Sequence, residues 1–215
     1  ALFCQGCHNG GMAKATYGTG SSVMMNIGGT PIRSEHGLVT SLAWSISGKV
    51  NYVLEGNINY TGAAITWLKD DLQIISSALE TESLARQANP QDRSYFVPAF
   101  TGLGAPYWES EATGLYTGIT RVTGKKEMVR AILDAIAYQI NDVATLMQQE
   151  SGHSLPALRV DGGPTRNAYL MQVQTDILDC PVEIPQAAEL SAIGAAYAAG
   201  IAIGLYKADI FSQMK

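Results

Sequence analysis

The sequence predicts an α/β domain with a mixed sheet and helices on both faces. Three observations predict it. Strand-like runs come first, one long helical stripe follows, and strand and helix signals then alternate to the end.

Residues 13–17 and 22–27 read as strands around a Gly-Thr-Gly turn. Residues 38–46 and 50–54 flank Ser47-Gly48-Lys49, a hairpin signal. In 63–75, Ile65, Leu68, Leu72 and Ile75 fall on one helical face. The polar stretch 76–93 leaves room for a short helix, and 95–100 reads as a strand. The longest helix is expected over 125–150, where Ile132, Ile136, Ile140, Val143 and Met147 make one apolar stripe. A short strand at 157–160 ends in Asp161-Gly162-Gly163 and turns into a helix carrying Leu170, Val173 and Ile177. A brief strand at 182–184 precedes a small-residue helix at 190–205.

The 215 residues suit a single domain, and 47% hydrophobic residues with 15% charged ones supply a full core. The net charge of −5 repels phosphate backbones and anionic lipid. Nucleic acid and membrane surfaces are therefore not expected partners. A nucleoside triphosphate stays open, because backbone N–H groups bind phosphate without basic side chains. Residues 190–206, between Glu189 and Lys207, carry no charge, but Ala and Gly give little transfer energy into lipid. A buried helix packed closely on the sheet is the expectation there.

Ala1-Leu2-Phe3-Cys4 reads like the interior of a packed element, so the sequence is expected to be a fragment. Three cysteines, an odd number, fit a reducing cytoplasm better than a disulfide framework. Cys4-Gln5-Gly6-Cys7-His8 matches the C-x-x-C-H pattern of haem attachment, which keeps a redox or haem module as a remote alternative. Two thiols and an imidazole at a helix end are the plain reading. His36 and His153 have no ligand cluster around them, and no metal site is expected.

Three turns could hold a ligand. Gly18-Thr19-Gly20 is either a hairpin turn or an anion nest of consecutive N–H groups. Asp161-Gly162-Gly163-Pro164-Thr165-Arg166-Asn167 lies where a strand becomes a helix, whose first amides are orphan donors. Gly62 opens the helix after Leu54-Glu55-Gly56, as a ligand approach or a tolerated cap. No P-loop motif is present.

These turns occur together with Thr101-Gly102-Leu103-Gly104-Ala105-Pro106-Tyr107-Trp108, and with Gly114-Leu115-Tyr116-Thr117-Gly118-Ile119 ahead of Glu127-Met128-Val129-Arg130-Ala131-Ile132-Leu133-Asp134. The latter pair resembles the C-terminal signature of the FGGY carbohydrate kinases. Thr16-Tyr17-Gly18-Thr19-Gly20 and Gly102-Leu103-Gly104-Ala105-Pro106-Tyr107-Trp108 resemble the glycerol kinase branch. Residues 157–163 and 192–200 extend the likeness over nearly the whole chain.

The resemblance implies an actin-like ATPase domain of ribonuclease H-like topology, with residues 1–215 as the C-terminal nucleotide-binding domain. It implies ATP and Mg²⁺ as cofactors, a small polyol or sugar as substrate, glycerol first, and a cytoplasmic homo-oligomer when full length. The Thr19 turn is implied to face the terminal phosphates. Gly62 and Thr66 are implied to line the cleft, and Gly163 and Asn167 to hold the adenosine end. Thr66 stands where glycerol kinases often have Gln. Ser22 stands where they typically carry a Phe against the glycerol carbons; a Ser leaves a wider, more polar pocket. The family's catalytic Asp and its polyol clamp belong to stretches outside these residues, so the chain alone is expected to be inactive. A catalytically silent actin-like scaffold is the third reading; it would bind nucleotide without turnover.

Overall fold

The computed structural model describes residues 1–46, 48–187 and 190–206. Ser47 of the predicted hairpin, and Glu189 and Lys207 around the apolar segment, lie outside the described residues.

Four strands open the fold: β1 (Ala13–Tyr17), β2 (Ser21–Gly28), β3 (Val39–Ile46) and β4 (Lys49–Ile58). Next come α1 (Gly62–Thr66), a π-helical turn (Trp67–Asp71) and α2 (Glu80–Arg86). A small ribbon of β5 (Tyr95–Val97) and β6 (Leu115–Thr117) leads to α3 (Lys125–Ser151). The last part holds β7 (Leu158–Gly162), a 3₁₀ turn (Gly163–Arg166), α4 (Ala168–Leu178), β8 (Val182–Glu183) and α5 (Leu190–Ala202).

The main sheet runs β3-β4-β2-β1-β7-β8. Its first four strands pair antiparallel, whereas β1–β7 and β7–β8 pair parallel. The sheet is therefore mixed, as expected. Alternation along the central strands sends Ala13, Ala15, Tyr17, Val23, Met25, Leu54, Leu158 and Val160 into one core. The α3 stripe closes that core. Ile132, Ile136, Ile140, Val143 and Met147 are each at most 1% exposed. Full burial of such side chains stabilises by about 1.5–3 kcal/mol each, as an upper bound. Gly56 lets α3 approach β4, since a Cβ there would lie 2.5 Å from Val143 Cγ1. At the start of α3 the Glu127 carboxylate accepts the Gly124 amide at 2.9 Å and the Asn89 amide at 2.8 Å. Gly152, left-handed at φ 69°, ends the helix.

The opposite sheet face is covered by the N-terminal turns. Leu2 and Cys7 pack with Val53, Met24 and Trp44. The α5 helix reaches that side through Gly194 against Cys4.

Three expectations change. Leu72 is exposed, because the helix widens at 67–71 and the Leu72 amide reaches back five residues to the Trp67 carbonyl. That wider turn rotates Leu72 off the stripe of Ile65 and Leu68. The expected buried helix at 190–205 is buried only at Leu190, Gly194 and Gly200 within α5. Gly194 meets Cys4 of the N-terminal turns, Gly200 packs against Tyr206, and the alanines of the helix are exposed. Residues 1–6 form hydrogen-bonded turns rather than a helix end.

Candidate functional site

A cleft of about 650 Å³ opens where β1 and β7 end side by side. Tyr17 pairs with Gly162 in parallel register, so the turns that follow both strands leave the sheet together. Ligand sites in α/β sheets form at such carboxyl ends. Thr19, Gly62, Thr66, Gly163 and Asn167 all line this cleft. The family resemblance implies these five positions, which come from three segments distant in sequence.

The first wall is the Gly18–Gly20 turn docked on α1. The Gly18 carbonyl accepts the Gly62 amide at 2.9 Å, and the Thr19 carbonyl accepts the amides of Thr61 and Ala63 at 3.0 Å. These first amides of α1 are thereby satisfied within the chain. A Cβ on Gly62 would lie 2.6 Å from the Gly18 carbonyl oxygen. Gly62 is thus required by this backbone packing. The side chains of Thr19 and Thr66 are exposed on the wall.

The second wall is the turn after β7. Gly162 holds φ 104°, and a Cβ there would lie 1.9 Å from the Tyr17 carbonyl oxygen. Gly163, its neighbour, has open space above it: an added Cβ meets no atom within 4 Å. Pro164 sits in the first turn of the 3₁₀ segment, where its missing N–H costs nothing. Thr165 Oγ1 donates to the Gly162 carbonyl at 2.7 Å.

Asn167 caps α4: its Oδ1 accepts the Leu170 amide at 3.0 Å, and its Nδ2 donates to Thr81 Oγ1 at 3.0 Å. Glu82 accepts the Ala168 amide at 2.9 Å. That bond, with the Arg86 side chain, holds the Glu82 carboxyl below the usual carboxylate range. A carboxylate of the chain itself therefore occupies the first turn of α4, the orphan-amide seat expected for an anion.

Sequence reasoning missed part of the lining. Ser76, Ser77, Ala78, Leu79, Thr81 and Glu82 form a third wall. That segment has no glycine signal, and only the docking of α2 on α3 and α4 brings it to the cleft. Two cations also line the cleft: Lys69, paired with Asp70 at 2.9 Å, and the exposed Arg166.

Ser22 is not in the cleft lining. It lies on the second face of the sheet, level with Asn57 on β4. Its Oγ donates to Glu55 Oε1 at 3.3 Å, and Asn57 Nδ2 donates to the same oxygen at 3.3 Å. Lys14 Nζ donates to Thr16 Oγ1 at 3.0 Å and to the Ser22 carbonyl at 3.1 Å. Burial pushes the Lys14 ammonium below its ordinary range, while Asp161 and Glu55 pull it back.

Cys4 and Cys7 are buried free thiols. Burial pushes Cys7 up to about 11, so the thiolate that redox chemistry needs is scarce near neutral pH. His8 Nε2 is bonded to the Phe3 carbonyl at 2.9 Å. Among the described residues, no three His, Cys, Asp or Glu side chains gather as a metal site, and no helix is long and apolar enough to cross a membrane. The redox and haem alternatives find no support here.

Residues 13–203 match the profile of the FGGY family of carbohydrate kinases, C-terminal domain. The chain belongs to the FGGY family of carbohydrate kinases. Over 207 residues, 96% of its length, this FGGY chain is 51% identical to the glycerol kinase of Listeria welshimeri. It is 52% identical to the glycerol kinase of Bacillus anthracis over the same share. It spans 42% of the length of each. The crystal structure of Plasmodium falciparum glycerol kinase with ADP superposes on 99% of the FGGY chain and 43% of its own, at 32% identity and a TM-score of 0.92. These relatives agree with the actin-like fold that the sequence motifs implied.

Proposed function

We propose that residues 1–215 are the C-terminal, nucleotide-binding domain of an ATP-dependent polyol kinase, with glycerol as first substrate and glycerol 3-phosphate as product. The observation that carries this reading is the open space over Gly163 in a cleft that also holds Thr19 and Asn167. A backbone without a side chain is the surface on which a flat nucleoside can lie. The likeness to glycerol kinases, one of them crystallised with ADP, supports it.

ATP supplies the phosphoryl group in this scheme. Gly163 offers the adenosine a bare backbone, Asn167 holds the turn beneath it, and Thr66 and Gly62 form the floor. Thr19 presents its hydroxyl at the phosphate end. The internally satisfied amides of α4 favour the uncharged nucleoside at that turn and leave the phosphates to the Thr19 side. No group of three metal ligands gathers among the described residues. Mg²⁺ would be held mainly by the phosphates, as is usual where one or two carboxylates and the substrate hold it. Phosphoryl transfer rests on positioning and electrostatics, and half a cleft supplies only part of either. The polyol clamp, the catalytic base and the opposing half of the cleft are assigned to an N-terminal domain of the same protein. A cytoplasmic homo-oligomer belongs to the same proposal.

One observation favours a second reading, a four- or five-carbon polyol. Ser22, Asn57 and Glu55 make a polar patch where an aromatic ring would cover apolar C–H surface. A site that pairs with an extra hydroxyl discriminates strongly against a ligand lacking it.

The test is an ADP-release assay of the full-length protein over a polyol panel, with Ser22→Phe alongside. ATP-dependent turnover of glycerol is expected, with none from residues 1–215 alone. Absence of turnover with every polyol removes the kinase reading and leaves the scaffold. The longer-polyol reading requires Ser22→Phe to shift kcat/KM toward glycerol; unchanged ratios remove it.

A further inference from the structure

Tyr17 and Gln174 meet deep in the core, 1% and 0% exposed. The Tyr17 hydroxyl donates to Gln174 Oε1 at 2.8 Å, and Gln174 Nε2 donates to the Ala137 carbonyl at 3.3 Å. An apolar pair of the same shape would serve stability about as well, because the net gain of a buried hydrogen bond is small. A polar pair in an otherwise apolar core is directional, and it selects one arrangement of the elements it joins.

The elements joined here are the two walls of the cleft. Tyr17 is the last residue of β1 and directly precedes Gly18. Gln174 lies on α4, and Asn167 caps that helix. The ladder from Tyr17 to Gly162 ties the two strand ends but does not set the rotation of α4 about its own axis. The Tyr169–Asp134 and Asn167–Thr81 bonds hold α4 to α3 and α2. The Tyr17–Gln174 bond ties α4 directly to the end of β1, and the Ala137 carbonyl on α3 braces it from behind. We infer that the Tyr17–Gln174 bond is a positioning device that fixes the spacing of the Thr19 turn from Asn167. Neither side chain is a catalytic residue. This rests on the nucleotide reading above. A ligand that touches both turns, such as ATP, feels the spacing. A ligand that touches only the Gly163 and Asn167 turn, such as adenosine, does not.

The experiment uses the full-length protein with Tyr17→Phe, Gln174→Met and the double variant. Tyr17→Phe alone strands a buried amide and lowers Tm. The double variant removes both polar groups at nearly constant volume and is expected to keep Tm within about 2 °C. Its Kd for ATP is expected to rise about fivefold, one hydrogen bond's worth of alignment, while its Kd for adenosine stays within about twofold. Equal ATP affinity in the double variant and the wild type overturns the inference alone. So does parallel weakening of both ligands with a falling Tm, the mark of a merely structural pair. A wild-type protein that binds neither ligand overturns the proposed nucleotide site and this inference together.

Discussion

The turn after β1 and the turn after β7 border the same cleft, yet their glycines answer to different demands. At the first, Gly20 and, on the docked helix α1, Gly62 are pressed against backbone: their added Cβ atoms would press on the Ile58 carbonyl oxygen and lie 2.6 Å from that of Gly18. The second turn splits the two roles between neighbours. Gly162 is locked against Tyr17 with a positive φ, while Gly163 faces nothing. Glycine next to backbone holds the fold together. Glycine next to empty space leaves room for something else.

Replacing Gly162 by Ala is the harshest way to break this contrast. The new methyl meets a strand carbonyl that cannot move without opening the β1–β7 ladder, and the left-handed φ adds strain. A loss of about 3 kcal/mol or more in denaturant unfolding is expected. A stable Gly162→Ala protein would show that β1 and β7 can part without loss.

Gly163→Val sharpens the contrast from the other side. Its φ is not in the left-handed region and its surroundings are open, so the unfolding midpoint should barely move. In the full-length protein, the Kd for ATP should rise by about tenfold or more, with little change in polyol affinity. Unchanged ATP affinity would put the nucleoside elsewhere.

Asn167→Ala is the mildest test, and it touches both properties. Loss of the cap to the Leu170 amide and of the bond to Thr81 costs about 1 kcal/mol. ATP affinity should weaken by a few-fold as the turn loosens. Calorimetry with and without ATP separates the two effects, and a drop in Tm alone would confine Asn167 to a structural role.

The same contrast explains what could be read in the sequence. Period-two alternation in 13–17 and 22–27 and the apolar stripe from Ile132 to Met147 are local patterns that burial enforces, so the strands and α3 fall where expected. The letters Gly62, Gly162 and Gly163 are identical in sequence, and only the distance to the next backbone separates them. The wall at Ser76–Glu82 carries no pattern of its own, because docking of α2 assigns its place. Leu72 kept a helical spacing that the widened turn at 67–71 then broke. The likeness of residues 13–203 to a kinase family gives the family, but it does not say that Glu82 already fills the head of α4.

The pairing of β1 with β7 has a consequence in time. Strand β1 is made before its parallel neighbour, which emerges from the ribosome only after the whole of α3, roughly 10 s later at ordinary rates of synthesis. Until then the β3-β4-β2-β1 sheet ends at β1, an edge that the finished fold covers with β7. An unpaired, apolar edge of that kind invites other chains. Slow elongation lengthens that interval, and a message that stalls within α3 is expected to yield more aggregate and less folded protein.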